Sequence, residues 1–275
     1  MGEKHLGRSG SMFGMDDPGQ VLPQIKRYVE DGRLEISEVM AVELVSKLRA
    51  EKKRDLEVQN WLVEAARIAA EVLEQREKFP QALAAALTLE KERRPLRSML
   101  AELQPDAVAA LDLQAAEDYV IAARIAAQCG KLSKAMKLAK KAEKKVPGYL
   151  ASAIVRVQAH AMAKKNLRGA TKPVLALAAR LGKVGPVISN SGTFSLIPQG
   201  QPATDLTWLL GNLDYWLDPS QGLPEKAAAA LRQIGSDLRA QMTAIESGEQ
   251  AANVQLQAAV DKLNPNIDYY SYSRN

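Results

Sequence analysis

Along most of this chain the apolar side chains return every three or four residues, which is the period of a helix with one buried face. Residues 22–30 predict a short helix, and Ser37 reads as the N-cap of a second, in which Val39, Val42, Val45 and Leu48 recur at three-residue spacing. The charged stretch 51–55 ends it. From Asp55 a longer amphipathic helix places Val58, Trp61, Leu62, Ala65, Ile68, Ala69 and Val72 on one face, with Glu64, Arg67, Glu71 and Glu74 leaning outward. Pro80, Pro95 and Pro105 suit first-turn positions, where a missing N–H costs nothing, so separate helices are predicted over 81–93, 96–103 and 105–113. Residues 115–181 read as four further helices, broken near Gly130, Pro147 and 166–169.

Only one stretch carries a strand signal. Val187-Ile188 and residues 194–197 flank the turn-forming Ser189-Asn190-Ser191-Gly192, which predicts a short β-hairpin. Gly185, Pro186, Pro198, Gly200 and Pro202 surround it and mark a linker. Beyond it, 206–217 is one helix, and Pro224 opens another in which Leu231, Ile234, Leu238, Met242 and Ile245 form the seam expected of a helical hairpin or coiled coil. Ser247-Gly248 is expected to break it before Val254, Leu256, Val260 and Leu263 restart the pattern.

Within 119–147 the spacing of small residues goes further. Tyr119 precedes Ala122, Ala123 and Ala126; Gly130 falls at a turn; Ala135, Ala139 and Ala142 follow, and Pro147 terminates. Small residues let antiparallel helices approach closely, and glycine leaves a helix end through a left-handed conformation. The stretch resembles the tetratricopeptide repeat, a helix-turn-helix of about 34 residues. A later, degenerate copy would use Ile154, Val157, Gln158, Ala161, Ala170, Val174 and Leu177, and an earlier one Ala66, Ala69, Ala70, Ala82, Ala86 and Leu89. The resemblance implies a binding scaffold that presents a groove to peptides or partner subunits.

The expected fold is therefore all-α, an α-solenoid of antiparallel helix pairs followed by a hairpin-containing linker and a C-terminal helical hairpin. The boundaries read as a flexible Gly-rich leader over 1–20, a repeat domain over 21–182, a linker over 183–203, a C-terminal helical unit over 204–263 and a Tyr-rich tail over 264–275. Composition agrees, because 47% of the residues are hydrophobic but only 5% aromatic, which favours Ala- and Leu-rich helix packing over a β-sandwich. A lone Cys129 excludes an internal disulfide and fits a reducing compartment, so a cytoplasmic location or the interior of an assembled particle is expected. Residues 1–20 hold no apolar core of a signal peptide, and no apolar run approaches the roughly 18 residues of a membrane span.

Charge changes the picture most. Residues 131–183 carry fourteen Lys or Arg against the single acid Glu143, whereas 1–130 and 184–275 each carry a net −4. The net +5 of the chain is thus local, and a local excess of this kind attracts polyanions, acidic peptides or anionic surfaces. On the helix after Gly130, the stripe Leu132, Ala135, Ala139, Ala142 and Val146 faces inward, leaving Lys134, Lys137, Lys141, Lys144 and Lys145 to project elsewhere. Lys164, Lys165, Arg168 and Lys172 cluster at a following turn, with Arg156 and His160 one turn apart between. Lys outnumbers Arg and only Tyr149 is interleaved, which argues for point-charge contact and against a base-stacking platform.

No catalytic constellation competes. Gly130-Lys131-Leu132-Ser133 resembles the end of a phosphate loop but has Ile125 where the first glycine belongs, and no strand precedes it. Acid pairs such as Asp16-Asp17 or Asp214 with Asp218 have no base beside them, and Cys129, His5 and His160 assemble no zinc site. The sequence reads as a non-enzymatic adaptor or assembly subunit without a cofactor, binding an acidic protein or peptide through 131–183. Tyr269, Tyr270 and Tyr272 would supply a second contact, and the C-terminal helices a surface for self-association. The alternative is a nucleic-acid-associated structural protein of a packaged particle or ribonucleoprotein.

Overall fold

The structure is a computed structural model that describes residues 17–103, 107–188 and 192–263, the side chains of 103 and 249–263 apart. Among the described residues the chain winds α1 (Pro18–Glu30), α2 (Leu34–Ala50), α3 (Leu56–Gln75), α4 (Phe79–Leu103), α5 (Ala107–Gln128), α6 (Leu132–Lys145), α7 (Leu150–Lys164) and α8 (Thr171–Leu181). A small antiparallel sheet of β1 (Pro186–Ile188), β2 (Phe194–Leu196) and β3 (Thr204–Asp205) follows, and then α9 (Leu206–Leu217) and α10 (Glu225–Leu263). No helix among these residues is long and apolar enough to cross a membrane.

Local chemistry starts and stops these helices. Asp17, Asp55 and Asp205 each accept a hydrogen bond from a first-turn N–H, of Gly19, Val58 and Trp208 respectively, and so cap α1, α3 and α9. At the end of α5, Gly130 takes φ 72°, while its N–H reaches the Ala127 carbonyl and the Lys131 N–H reaches that of Ala126. This left-handed closure satisfies the last carbonyls and sends α6 back along α5. The small residues then let the pair close, since Ala122, Ala123, Ala126, Ala135, Ala139 and Ala142 are all buried.

α3, α4 and α7 are each shared between successive cores, as expected of a solenoid. A first core joins α1, α2 and α3 with Leu89 of α4, a second runs from α3 to α7, and a third takes in α7, α8, β2, α9 and α10. The residues of both degenerate copies, the half-buried Gln158 apart, lie in these cores, Ala82, Leu89, Val174 and Leu177 with no accessible surface. The all-α solenoid of helix pairs is the architecture observed.

Several boundaries differ from the expectation, each for a physical reason. Ser37 is no cap; it lies inside α2, fully buried, and its Oγ donates to the Arg33 carbonyl at 2.9 Å. Pro95 does not begin a helix, because α4 runs through it. An interior proline costs about 3 kcal/mol, and here Leu96, 1% exposed, and Arg93, bonded to Asp118, hold both halves of α4 against α5. Of the separate helix expected over 105–113, the described residues 107–113 are the first part of a continuous α5. Likewise α10 runs through Ser247-Gly248 instead of breaking, since one interior glycine costs only about 1 kcal/mol relative to alanine. The hairpin between 187 and 197 forms as expected and gains a third strand, Thr204–Asp205. This region does more than link, because Phe194 and Leu196 are buried in the same core as Leu177, Leu206 and Leu231.

Candidate partner-binding surface

The basic segment folds as α6, α7, α8 and their connections, and the structure divides its charges into three groups. The first lies at the end of the pair where α6 begins and α7 ends. Lys131, Lys134, Lys137 and Lys164 line one shallow concavity with Gly130, Leu132 and Ser133, and no acid contributes to its lining. None of the four lysines has a carboxylate partner among the described residues. Lys131 and Lys134 stand at the first turn of α6, where the partial positive charge of the helix end opposes cations by about 0.3–1 kcal/mol each. Lys165 follows in the left-handed conformation that ends α7, with φ 53°. His160, one turn before Lys164, is held below its ordinary value by burial and by the Lys164 charge.

A second group begins one turn after Lys137 and spans to α4 and α5. Lys141 Nζ lies 3.0 Å from Glu90 and 5.1 Å above the Tyr119 ring, while Lys145 Nζ lies 2.8 Å from Asp112. Asp112 also accepts from Arg97 Nη2 at 3.2 Å. Glu90 is held below its ordinary value first by a hydrogen bond from Tyr119, and burial together with that bond pushes the Tyr119 phenol far up. For Asp112, burial acts upward, but the bonds from Arg97 and Lys145 outweigh it and hold the carboxyl low.

The third group serves the fold. Arg180 of α8 donates to Glu143 at 2.7 Å, to the Tyr149 carbonyl at 2.7 Å and to Ser152 Oγ at 3.3 Å. Glu143, the lone acid of the segment, also accepts from Ser152 Oγ at 2.7 Å and from the Gly148 N–H at 2.9 Å. It is consumed by the α6–α7–α8 junction and does not dilute the exposed lysines. Arg168 lies against Gly222, where a Cβ would stand 3.1 Å from its side chain, and the neighbouring Leu167 N–H donates to the Gln221 carbonyl at 2.7 Å. Lys144, Lys165 and Lys172 are exposed. Tyr269, Tyr270 and Tyr272 lie outside the described residues.

The predicted basic residues thus divide between those that line the concavity and those engaged by acids of α4 and α5. Lys134, Lys137 and Lys164 come together with Lys131, whereas Lys141 and Lys145 belong to a different cleft. That cleft, of about 250 Å³, lies between α4 and α6 over α5, and Arg93, Arg94 and Arg97 line it. Sequence reading passed over these arginines because Pro95 divided the run Lys91-Glu92-Arg93-Arg94-Pro95-Leu96-Arg97 between two expected helices. Four cations against one acid in seven residues was the available signal. No group of His, Cys, Asp and Glu suited to a metal ion occurs among the described residues.

No protein-family profile matches the chain, and no curated protein does. Solved structures similar to it include the following two. BtubC (BKLC) from P. vanneervenii is 15% identical over 82% of this chain and 80% of that one, with a TM-score of 0.50, a likeness of fold alone. The TPR2AB-domain:pHSP90 complex of yeast Sti1 is 14% identical over 61% of this chain and 79% of that one, and its TM-score of 0.25 carries no argument.

Proposed function

We propose that this chain is a non-enzymatic helical-repeat adaptor or assembly subunit that binds an acidic protein partner through the basic surface of 131–183. The supporting observation is the concavity of Lys131, Lys134, Lys137 and Lys164, which gathers four ammonium groups without a carboxylate in its lining. Like charges so placed repel one another and oppose the dipole of α6, so an anionic partner relieves both costs. The solenoid supplies the rest, because stacked helix pairs hold such a surface rigid at little cost in ordering. Lysine in place of arginine, with no aromatic side chain in the lining, favours carboxylates over stacked bases.

The C-terminal unit is proposed as a second contact, available for self-association. Trp208 and Tyr215 stand on the outer side of α9, 48% and 55% exposed, with Gly211 between them. Exposed aromatics at helical spacing are the residue types that dominate interfaces.

The test is fluorescence anisotropy with a glutamate-rich peptide and a short DNA duplex of equal charge, each titrated with salt. Tighter binding of the peptide, with an affinity that falls as salt rises, is the expected result. Preference for the duplex, with a log–log slope near −0.9 per phosphate contacted, would replace this reading with the nucleic-acid one.

A further inference from the structure

We infer that the cleft between α4 and α6 is an anchoring site for one apolar side chain of an acidic partner segment, an assignment that rests on the adaptor reading above. The floor and the rim of this cleft ask for different things. Ala86, Leu111, Ala115 and Leu138 make an apolar floor. Around it stand Arg94, Arg97, Lys141 and Lys145 against the carboxylates of Glu90 and Asp112, an excess of two positive charges; the remaining charged pair, Arg93 and Asp118, is spent on itself. A volume of about 250 Å³ is below the roughly 300–1,000 Å³ of small-molecule sites and suits one or two side chains.

Charge complementarity selects the occupant. An apolar side chain flanked by carboxylates fills the floor and neutralises the rim together, whereas a nucleic acid would satisfy only the rim. The rim can open for it. Lys141 and Glu90 are 51% and 47% exposed, and pairs so exposed contribute little, so a partner carboxylate can take the place of Glu90 on Lys141. Asp112, 25% exposed and shared by Lys145 and Arg97, stays in place as part of the rim.

The experiment uses the full chain and two fluorescent peptides of equal charge, one of alternating Glu and Ser, the other with its central Ser replaced by Leu. The Leu peptide is expected to bind roughly tenfold tighter. Ala115→Phe, which fills the floor, should erase that advantage while leaving the Ser peptide's affinity unchanged, and Arg94→Ser/Arg97→Ser should weaken the Leu peptide several-fold. Equal binding of the two peptides to the parent protein, or an advantage that survives Ala115→Phe, overturns the assignment. An oligonucleotide of equal charge that displaces the Leu peptide from the cleft also overturns it. If circular dichroism shows that Ala115→Phe does not fold, the arginine double variant decides, and unchanged affinity for the Leu peptide counts against the site. Failure of the Ser peptide to bind at low salt, with the Leu advantage intact, would sink the adaptor's acidic preference and leave the anchor standing.

Discussion

Arg93 of α4 and Asp118 of α5 face each other across the helix interface with both side chains only 6% exposed. Arg93 Nε donates to Asp118 Oδ2 at 2.9 Å and Nη1 to Gln114 at 2.8 Å, while Asp118 Oδ1 has no hydrogen-bond donor and only Arg67 Nε at 3.7 Å. Burial pushes the Asp118 carboxyl up, against the opposing pull of Arg93 and Arg67. A buried pair is tolerated when whole and costly when halved. Arg93→Ala should therefore destabilise the fold by about 3–5 kcal/mol in urea unfolding, and Arg93→Met with Asp118→Leu should recover most of it. A single-variant loss below about 1 kcal/mol would show that the pair is not desolvated as the structure has it.

Glu143 supplies a pH-dependent prediction. Burial alone would raise its carboxyl, but Ser152, the Gly148 N–H and Arg180 outweigh burial and hold it below the ordinary 4.5. A carboxyl lowered by folding contributes fully above that ordinary value and progressively less as the pH falls through the lower folded one. Glu143→Gln should cost about 1–2 kcal/mol at pH 7 and flatten the loss of stability below pH 4.5. Thermal unfolding between pH 3 and pH 7 measures both, and an unchanged acid limb would contradict the assignment.

Two glycines should respond in opposite directions to alanine. Gly130 holds φ 72° at the α5–α6 reversal, so Gly130→Ala should destabilise by about 1–2 kcal/mol although nothing lies within 4 Å of the added carbon. Gly211 lies inside α9 with equally open space, and there Gly211→Ala should stabilise by about 0.5–1 kcal/mol. Denaturant midpoints of the two variants should straddle that of the parent.

Self-association through the C-terminal unit is tested at Trp208 and Tyr215. Sedimentation of the full chain should depend on concentration, and Trp208→Ser/Tyr215→Ser should shift it to the monomer. A parent protein that is monomeric throughout removes the second contact.

The legible part of the fold was the part written in local periodicity and small residues. Ala122, Ala126, Ala135 and Ala142 announced the α5–α6 pair, and Asp55 the start of α3, because each acts on neighbours within a few residues. Pro95 and Ser37 misled for the converse reason: packing from outside their own turn overrode the local preference, that of Leu96 and Arg93 on α5 in the first case and the burial of Ser37 in the second. Gly248 misled because a helix tolerates one interior glycine at a cost of about 1 kcal/mol. The candidate surface divided along the same line. Lys131, Lys134 and Lys137 share one side of one helix, which spacing shows, but pairing Lys141 with Glu90 and Lys145 with Asp112 joins residues 51 and 33 positions apart. No single-segment charge count can see that.

The central claim is that the carboxylate-free lysines of α6 and α7 hold an acidic partner, and reversing them tests it most directly. Lys134→Glu/Lys137→Glu/Lys164→Glu places acids on exposed positions, so the fold should survive, as circular dichroism can verify. The account predicts that a glutamate-rich peptide binds the parent at low salt and that the triple variant loses at least roughly tenfold in affinity. Equal affinity of parent and variant, at low salt and with both folded, would contradict it.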